Sequence, residues 1–218
     1  MGFQELFEFL QRLQKNNSKD WMDIHRKEYF AVRDFFIAWL DRMNEQLAAI
    51  DDDYFDTPGK KAINRINNNL LYHPNRPVYK DHFGAGLDQV SKQGDFYIEL
   101  GVEQSFIGGG YWHPSSDLLR RIRNAIDYNG EELKAILKKP SFRKMFGEMV
   151  EDDPLKTAPK GFSVDHEHID LLRRRSFAVV HHLSRGEIVS SDLEKKVIEI
   201  YKEMLPFRRY LNEAVTVE

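Results

Sequence analysis

Apolar residues recur at steps of three and four through the first fifty positions. Phe3, Leu6, Phe7, Leu10 and Leu13 share one face, which predicts a short helix ending near Asn16 and Asn17. Ser18 is a suitable N-cap for the next helix. Its stripe runs Trp21, His25, Tyr29, Val32, Phe36, Trp39, Met43, Leu47 and Ile50, predicting one long helix over 19–50. Asp51, Asp52 and Asp53 then oppose the helix dipole and help to end it. Further on the period changes. "AINRI", "HFGAGL", "DFYIELGV" and "SFIGGGYW" carry β-branched and aromatic residues with glycine punctuation, which predicts short strands in an antiparallel sheet. Gln93-Gly94 and Val102 to Gln104 are the expected turns.

Helical spacing returns with Leu118, Leu119, Ile122 and Ile126 behind Ser115 or Ser116, ending at Asn129-Gly130. A second helix is expected over 131–138 and a third near 141–148, with Pro140 in its first turn. "SFAVVHHL" reads as another strand. Ser191 and Glu194 form a capping-box pattern ahead of a last helix, which Pro206 kinks or restarts. Strand clusters between helical runs imply an α+β fold, a central antiparallel sheet flanked by N-terminal and C-terminal helices, rather than alternating βαβ units. One domain over 1–218 is expected: helices in 3–50, a mainly β middle in 60–112, and a helical and mixed part in 115–213.

Composition narrows the chemistry. With 218 residues the chain is long enough for a sizeable core, and 12% aromatics is not the usage of a disordered chain. There is no cysteine, so thiolate catalysis and Cys-ligated zinc are excluded. "MGFQELFEFLQRL" is amphipathic with acidic residues, neither a secretory leader nor a membrane span, and cytoplasmic residence is the default reading. A net charge of −3 gives no global field for nucleic acid, although a local patch is compatible with it.

That charge is unevenly spread. Residues 1–59 hold twelve acidic and seven basic residues, whereas residues 60–92 hold six basic and two acidic, a local +4. The basic stretch includes "RINNNLLYHPNRPVYKDHFGAG", residues 65–86, rich in Asn, His and Tyr. Charge-assisted hydrogen bonds there could hold a small anionic or phosphate-bearing ligand. The candidate ligand residues are Arg65, Asn67, Asn69, Tyr79, Lys80 and His82, facing the glycine strand at Gly109 and Trp112. The bland alternative is a polar connection whose Asn side chains bond its own backbone. Gly108–Gly110 fit neither a dinucleotide nor a P-loop fingerprint. Such glycines also let a sheet bend or another segment pack close, and Trp112 reads as a stacking platform or a core anchor.

"DHEHID" places His166 and His168 on one side of an extended segment, a donor pair suited to zinc, iron or manganese. No third ligand follows from spacing, so the reading carries no metal and no cofactor, with these histidines as the alternative. Arg173, Arg174 and Arg175 fan out around a helix, so at most one shares a face with an anion. An alternative to ligand binding is a non-enzymatic interaction module, the long 19–50 helix and the C-terminal helix presenting surfaces to a partner or a second copy of the chain.

Several of these residues also stand in a familiar order. Asn17 and Trp21 with Arg26 and Tyr29, Arg65-Ile66, Tyr79-Lys80 before His82-Phe83-Gly84, and "GGGYWHP" come first. Leu118 and Arg123, "PKGF", Asp165-His166, Ile169 to Leu172, Ser176-Phe177, Leu205-Pro206 and Leu211-Asn212 follow. In this the chain resembles the bacterial family known as domain of unknown function 2461, from about Phe3 to Asn212. The resemblance implies a shared fold and supplies no catalytic residue. The family pattern is strongly charged after the Arg-Ile. Here Asn68-Asn69, Leu71, Pro74-Asn75-Arg76 and Val78 stand in those places, while Arg65, Tyr79 and Lys80 are retained, as in a divergent member.

Overall fold

The structure, a computed structural model, describes residues 1–216. Helices α1 (Phe3–Lys15), α2 (Lys19–Ile24) and α3 (Arg26–Ala48) open the chain, and the short α4 (Gly59–Ala62) follows. Strands β1 (His82–Leu87), β2 (Phe96–Gly101) and β3 (Ser105–Tyr111) come next. They lead to α5 (Ser116–Lys138), α6 (Pro140–Phe146), α7 (Ile169–Leu172), strand β4 (Phe177–His182), α8 (Arg185–Ile188) and α9 (Leu193–Thr216). The strands form one antiparallel sheet in the order β1-β2-β3-β4, with helices at both ends of the chain. This is the expected α+β class. None of the described helices is long and apolar enough to cross a membrane.

The expected helix over 19–50 is two helices. Ser18 caps the first as predicted, its Oγ accepting from Trp21 N at 3.2 Å. At His25 the backbone leaves helical geometry, with φ −98° and ψ 11°. The imidazole turns back on the preceding turn, Nδ1 donating to the Trp21 carbonyl at 2.8 Å and the ring stacking on Trp21 at 3.9 Å. The apolar stripe continues on both sides, so periodicity does not register the break. The two helices expected on either side of Asn129-Gly130 are present: the backbone leaves helical geometry at Asn129 (φ −145°, ψ 48°), which divides α5 where the sequence places the boundary. "AINRI" contributes only single bridges, Ile63 to Ala85 and Asn67 to Tyr79. Glu194 turns its carboxylate to Gln46 (2.6 Å) and Arg42 (3.4 Å).

The chain divides into two compact units. The first comprises Met1–Gln89, Tyr97–Ile107 and His182–Ile198. Its core is the inner face of α1 (Leu6, Phe7, Phe9, Leu10, Leu13) with Val32, Phe36, Trp39 and Met43 of α3 and Phe83 of β1, all buried. Phe36 lies 5.7 Å from Trp39 and 5.8 Å from Phe83, ring centre to ring centre. Each such ring contributes about 2–3 kcal/mol by leaving water. The second unit comprises Val90–Phe96, Gly108–His181 and the chain from Glu199 onward. It buries Ile122, Ile126, Leu133, Phe142, Leu172, Phe177, Val179, Phe207 and Leu211. Arg208 is itself only 2% exposed, and it donates to the Gly94 carbonyl at 2.9 Å. Asn212 Oδ1 accepts from Gly94 N (3.1 Å) and from the Tyr111 hydroxyl (2.9 Å). The end of α9 thereby clamps the turn predicted at Gln93-Gly94.

Candidate functional site

The basic stretch of the first unit runs back along itself. Lys80 N bonds the Ile66 carbonyl (2.8 Å), Asn68 N the Val78 carbonyl (3.0 Å), and Asn64 N the Gly84 carbonyl (2.7 Å). The loop beyond Asn68 holds Leu71, Pro74-Asn75-Arg76 and Val78. Asn68 Nδ2 closes its base on the Pro77 carbonyl at 2.9 Å, a neutral amide bond as expected of such a turn. Leu71 and Tyr72 at its tip are 84% and 74% exposed.

Tyr79 is buried and pinned. Its backbone N–H donates to Asn17 Oδ1 at 2.9 Å, and its carbonyl accepts from Asn17 Nδ2 at 2.9 Å. Burial raises the Tyr79 phenol above its ordinary value, so it stays neutral and serves as a brace. Asn17 therefore fixes the residue that precedes Lys80. Asn17→Ala is expected to lose two backbone bonds at about 1 kcal/mol each. It should also speed amide exchange across residues 65–82, read by hydrogen exchange together with urea unfolding. Unchanged protection of that segment would show the clamp to be redundant.

Lys80 is half-buried and donates to the Arg65 carbonyl at 2.9 Å. Its pKa is lowered, first by burial and then by the nearby Arg65 charge; Glu99 opposes this and Arg76 adds to it. Among the described residues no carboxylate lies within ion-pair distance of Lys80, Arg65 or Arg76. The side chains of Asn67 and Asn69 are exposed and make no hydrogen bond among the described residues.

His82 begins β1 and stands between two acids. Nδ1 is 3.3 Å from Asp81 Oδ1, and Nε2 is 3.5 Å from Glu99 Oε2. Glu99, only 9% exposed, also accepts from the Tyr97 hydroxyl (3.1 Å) and from Gln104 Nε2 (3.3 Å). Gln14 at the end of α1 holds Asp81 (3.1 Å) and Glu103 (2.7 Å). Alternation along a strand puts Tyr97 and Glu99 on one face. The carboxylates were missed in the sequence, where the available signal was a lone Glu between Ile98 and Leu100.

The structure thus joins Arg65, Lys80 and His82 into one polar neighbourhood, in which Glu99 reaches both His82 and the field at Lys80. Gly109 and Trp112 belong to the second unit. A Cβ on Gly109 would stand 2.4 Å from Met204 Sδ and 3.0 Å from Arg208 Cδ, so the missing side chain admits α9. Trp112 is 55% exposed and packs edge-on against His113, which removes the core-anchor reading.

The second unit carries a groove of about 730 Å³ between α5 and the end of α9, lined by Arg120, Arg121, Asn124, Tyr128, Glu132 and Tyr210. Arg120 and Arg121 share the single carboxylate of Asp117, at 2.6 and 3.1 Å, which offsets one of their two charges. Of the three consecutive arginines, Arg174 bonds the Val150 and Ser176 carbonyls and lies 3.6 Å from the buried Asp152 carboxylate. Arg123 caps the end of α7 through the Leu172 (2.8 Å) and Arg174 (3.0 Å) carbonyls. His166 has both ring nitrogens engaged: Nε2 with Asp127 at 2.9 Å, and Nδ1 accepting from His168 N at 3.0 Å. His166 and His168 therefore do not form a donor pair.

No curated protein and no solved structure matches the chain. Residues 5–210 match a family described as conserved hypothetical protein, DUF2461. That span is nearly the whole chain, and the protein belongs to this family.

Proposed function

We propose that the first unit binds a small anionic ligand, of the phosphate-bearing class, through Arg65, Lys80 and His82. The observation that carries this reading is Lys80. Its ammonium is half-buried and its charge is disfavoured by burial and by Arg65, with no carboxylate paired to either cation among the described residues. An anion docked between the two relieves that repulsion and gains charge-assisted bonds. Asn67 and Asn69 supply neutral donors beside them. His82, held between Asp81 and Glu99, adds ring nitrogens to the same neighbourhood.

The test is calorimetric titration of the protein with inorganic phosphate and pyrophosphate at low ionic strength, where exposed charges are least screened. Arg65→Ala with Lys80→Met is expected to weaken binding roughly 100-fold, two charged hydrogen bonds being lost, while the unliganded protein keeps its melting temperature. Collapse of that temperature in the double variant would instead make the two cations structural.

The loop tip favours a second reading, a non-enzymatic interaction module that pairs with a second copy of the chain. Exposed Leu71 and Tyr72, with Ile24 at 80% exposure, are apolar surface that association would cover. Light scattering across a concentration series distinguishes it: a dimer dispersed by Leu71→Ser with Tyr72→Ser supports this reading, and a monomer at all concentrations removes it.

A further inference from the structure

In the second unit, the kink at Asn129 and the "DHEHID" segment bring together three groups from two distant parts of the chain, Glu131 on one side and the neighbours Glu167 and His168 on the other. His168 is 3% exposed, and its Nδ1 has no hydrogen-bond partner. A buried imidazole nitrogen left in that condition costs about 1–3 kcal/mol, and the surroundings contain its missing partner. Nδ1 faces Glu131 Oε1 at 3.7 Å, and Nε2 faces Glu167 Oε1 at 3.7 Å, both beyond hydrogen-bond reach. One imidazole nitrogen and one oxygen from each carboxylate lie within 4.8 Å of one another.

The ring is held firmly. It lies so close over Gly130 that a Cβ there would be 2.3 Å from His168 Cδ2, and His168 N is tied to His166 Nδ1 at 3.0 Å. The two glutamates are the reverse, exposed and free to swing: their side chains are 69% and 74% exposed.

We propose that Glu131, Glu167 and His168 form a divalent-cation site of the zinc class. One fixed imidazole with two mobile carboxylates is a donor set suited to that class. Zinc bonds of about 2.0–2.1 Å place tetrahedral ligand atoms roughly 3.3 Å apart, which the glutamates reach by closing on the imidazole. Three protein ligands leave a fourth position for water. Lys134 is the competing cation: its Nζ donates to the Glu167 carbonyl at 2.8 Å and lies 3.8 Å from Glu131 Oε1 and 4.0 Å from Asp170. It weakens the site by occupying part of Glu131's charge. The site is separate from the anion site proposed for the first unit and does not depend on it.

The experiment is calorimetric titration of the untagged full-length chain with Zn²⁺ alone, in a non-chelating buffer. One equivalent is expected to bind. Glu131→Gln with Glu167→Gln should weaken it roughly 100-fold or more, since two ligands are removed. Both positions are at the surface, so the metal-free melting temperature should not change, whereas truncating buried His168 risks the fold. Lys134→Met should tighten binding a few-fold, as an exposed ion pair is removed. Absence of heat and of any thermal shift up to about 1 mM Zn²⁺, or binding left unchanged in the double glutamine variant, would overturn the proposal.

Discussion

Gly110→Ala is expected to destabilise the protein by about 3 kcal/mol or more, measured as a fall in the urea midpoint at constant slope. Gly110 sits in β3 with φ +104°, in the left-handed region where an L side chain is strained by about 1–3 kcal/mol. A Cβ would also stand 2.2 Å from the Phe177 carbonyl oxygen of β4, 3.0 Å from Phe207 and 3.2 Å from Ala178 Cα. Two of these neighbours are backbone and cannot rotate away, so overpacking adds about 1–3 kcal/mol. The entropy that alanine removes from the unfolded chain returns less than about 1 kcal/mol. A midpoint unchanged within about 0.5 kcal/mol would mean that β3 and β4 separate at little cost, and would remove the account of "GGG" as a packing device.

Raising the pH from about 10 to about 12 is expected to remove on the order of 5 kcal/mol of stability, through two buried phenols of the second unit. Burial pushes Tyr111 up to about 12, only partly offset by the Gly94 backbone and Arg208. Burial, with the Glu132 charge, pushes Tyr210 up to about 12 as well. Both are nearly inaccessible, at 6% and 7% exposure. The unfolded chain releases these protons near the ordinary value of 10.0 while the folded chain still holds them. Their contribution is therefore complete below pH 10 and is lost as pH rises through 12. Each phenol accounts for about 2–3 kcal/mol, against a total stability of about 5–15 kcal/mol for a typical protein. Tyrosinate absorbance and circular dichroism followed together supply the check. Cooperative unfolding should accompany the last phenols to ionise. Smooth ionisation of all nine tyrosines near pH 10 with the fold intact would disprove the burial argument.

The β elements were the most legible part of the chain. "HFGAGL" is β1 residue for residue, and β2, β3 and β4 fall inside their predicted segments, because glycine and turn residues punctuate short runs that carry aromatic or β-branched side chains. Helix caps were legible where a side chain acts on its own turn, as at Ser18 and Ser115. The helix break at His25 was not, because the apolar stripe runs unbroken across it. Capping by Arg123 joins residues about fifty positions apart, which no local pattern encodes.

The same division holds for the candidate sites. Sequence alone determined the α+β class, the family, the absence of thiol chemistry, and the basic stretch in which Arg65 and Lys80 lie. Each of these is a property of composition, order or local spacing. Only the tertiary structure decided that Glu99 and Asp81 flank His82, that Asn17 anchors Tyr79, and that α9 closes over Gly109. It also decided that His168 faces Glu131 and Glu167 rather than pairing with His166. Apart from the adjacent pairs Asp81–His82 and Glu167–His168, those outcomes depend on through-space distances of a few ångströms between residues far apart in the chain, where hydrogen bonding, ion pairing and metal ligation act.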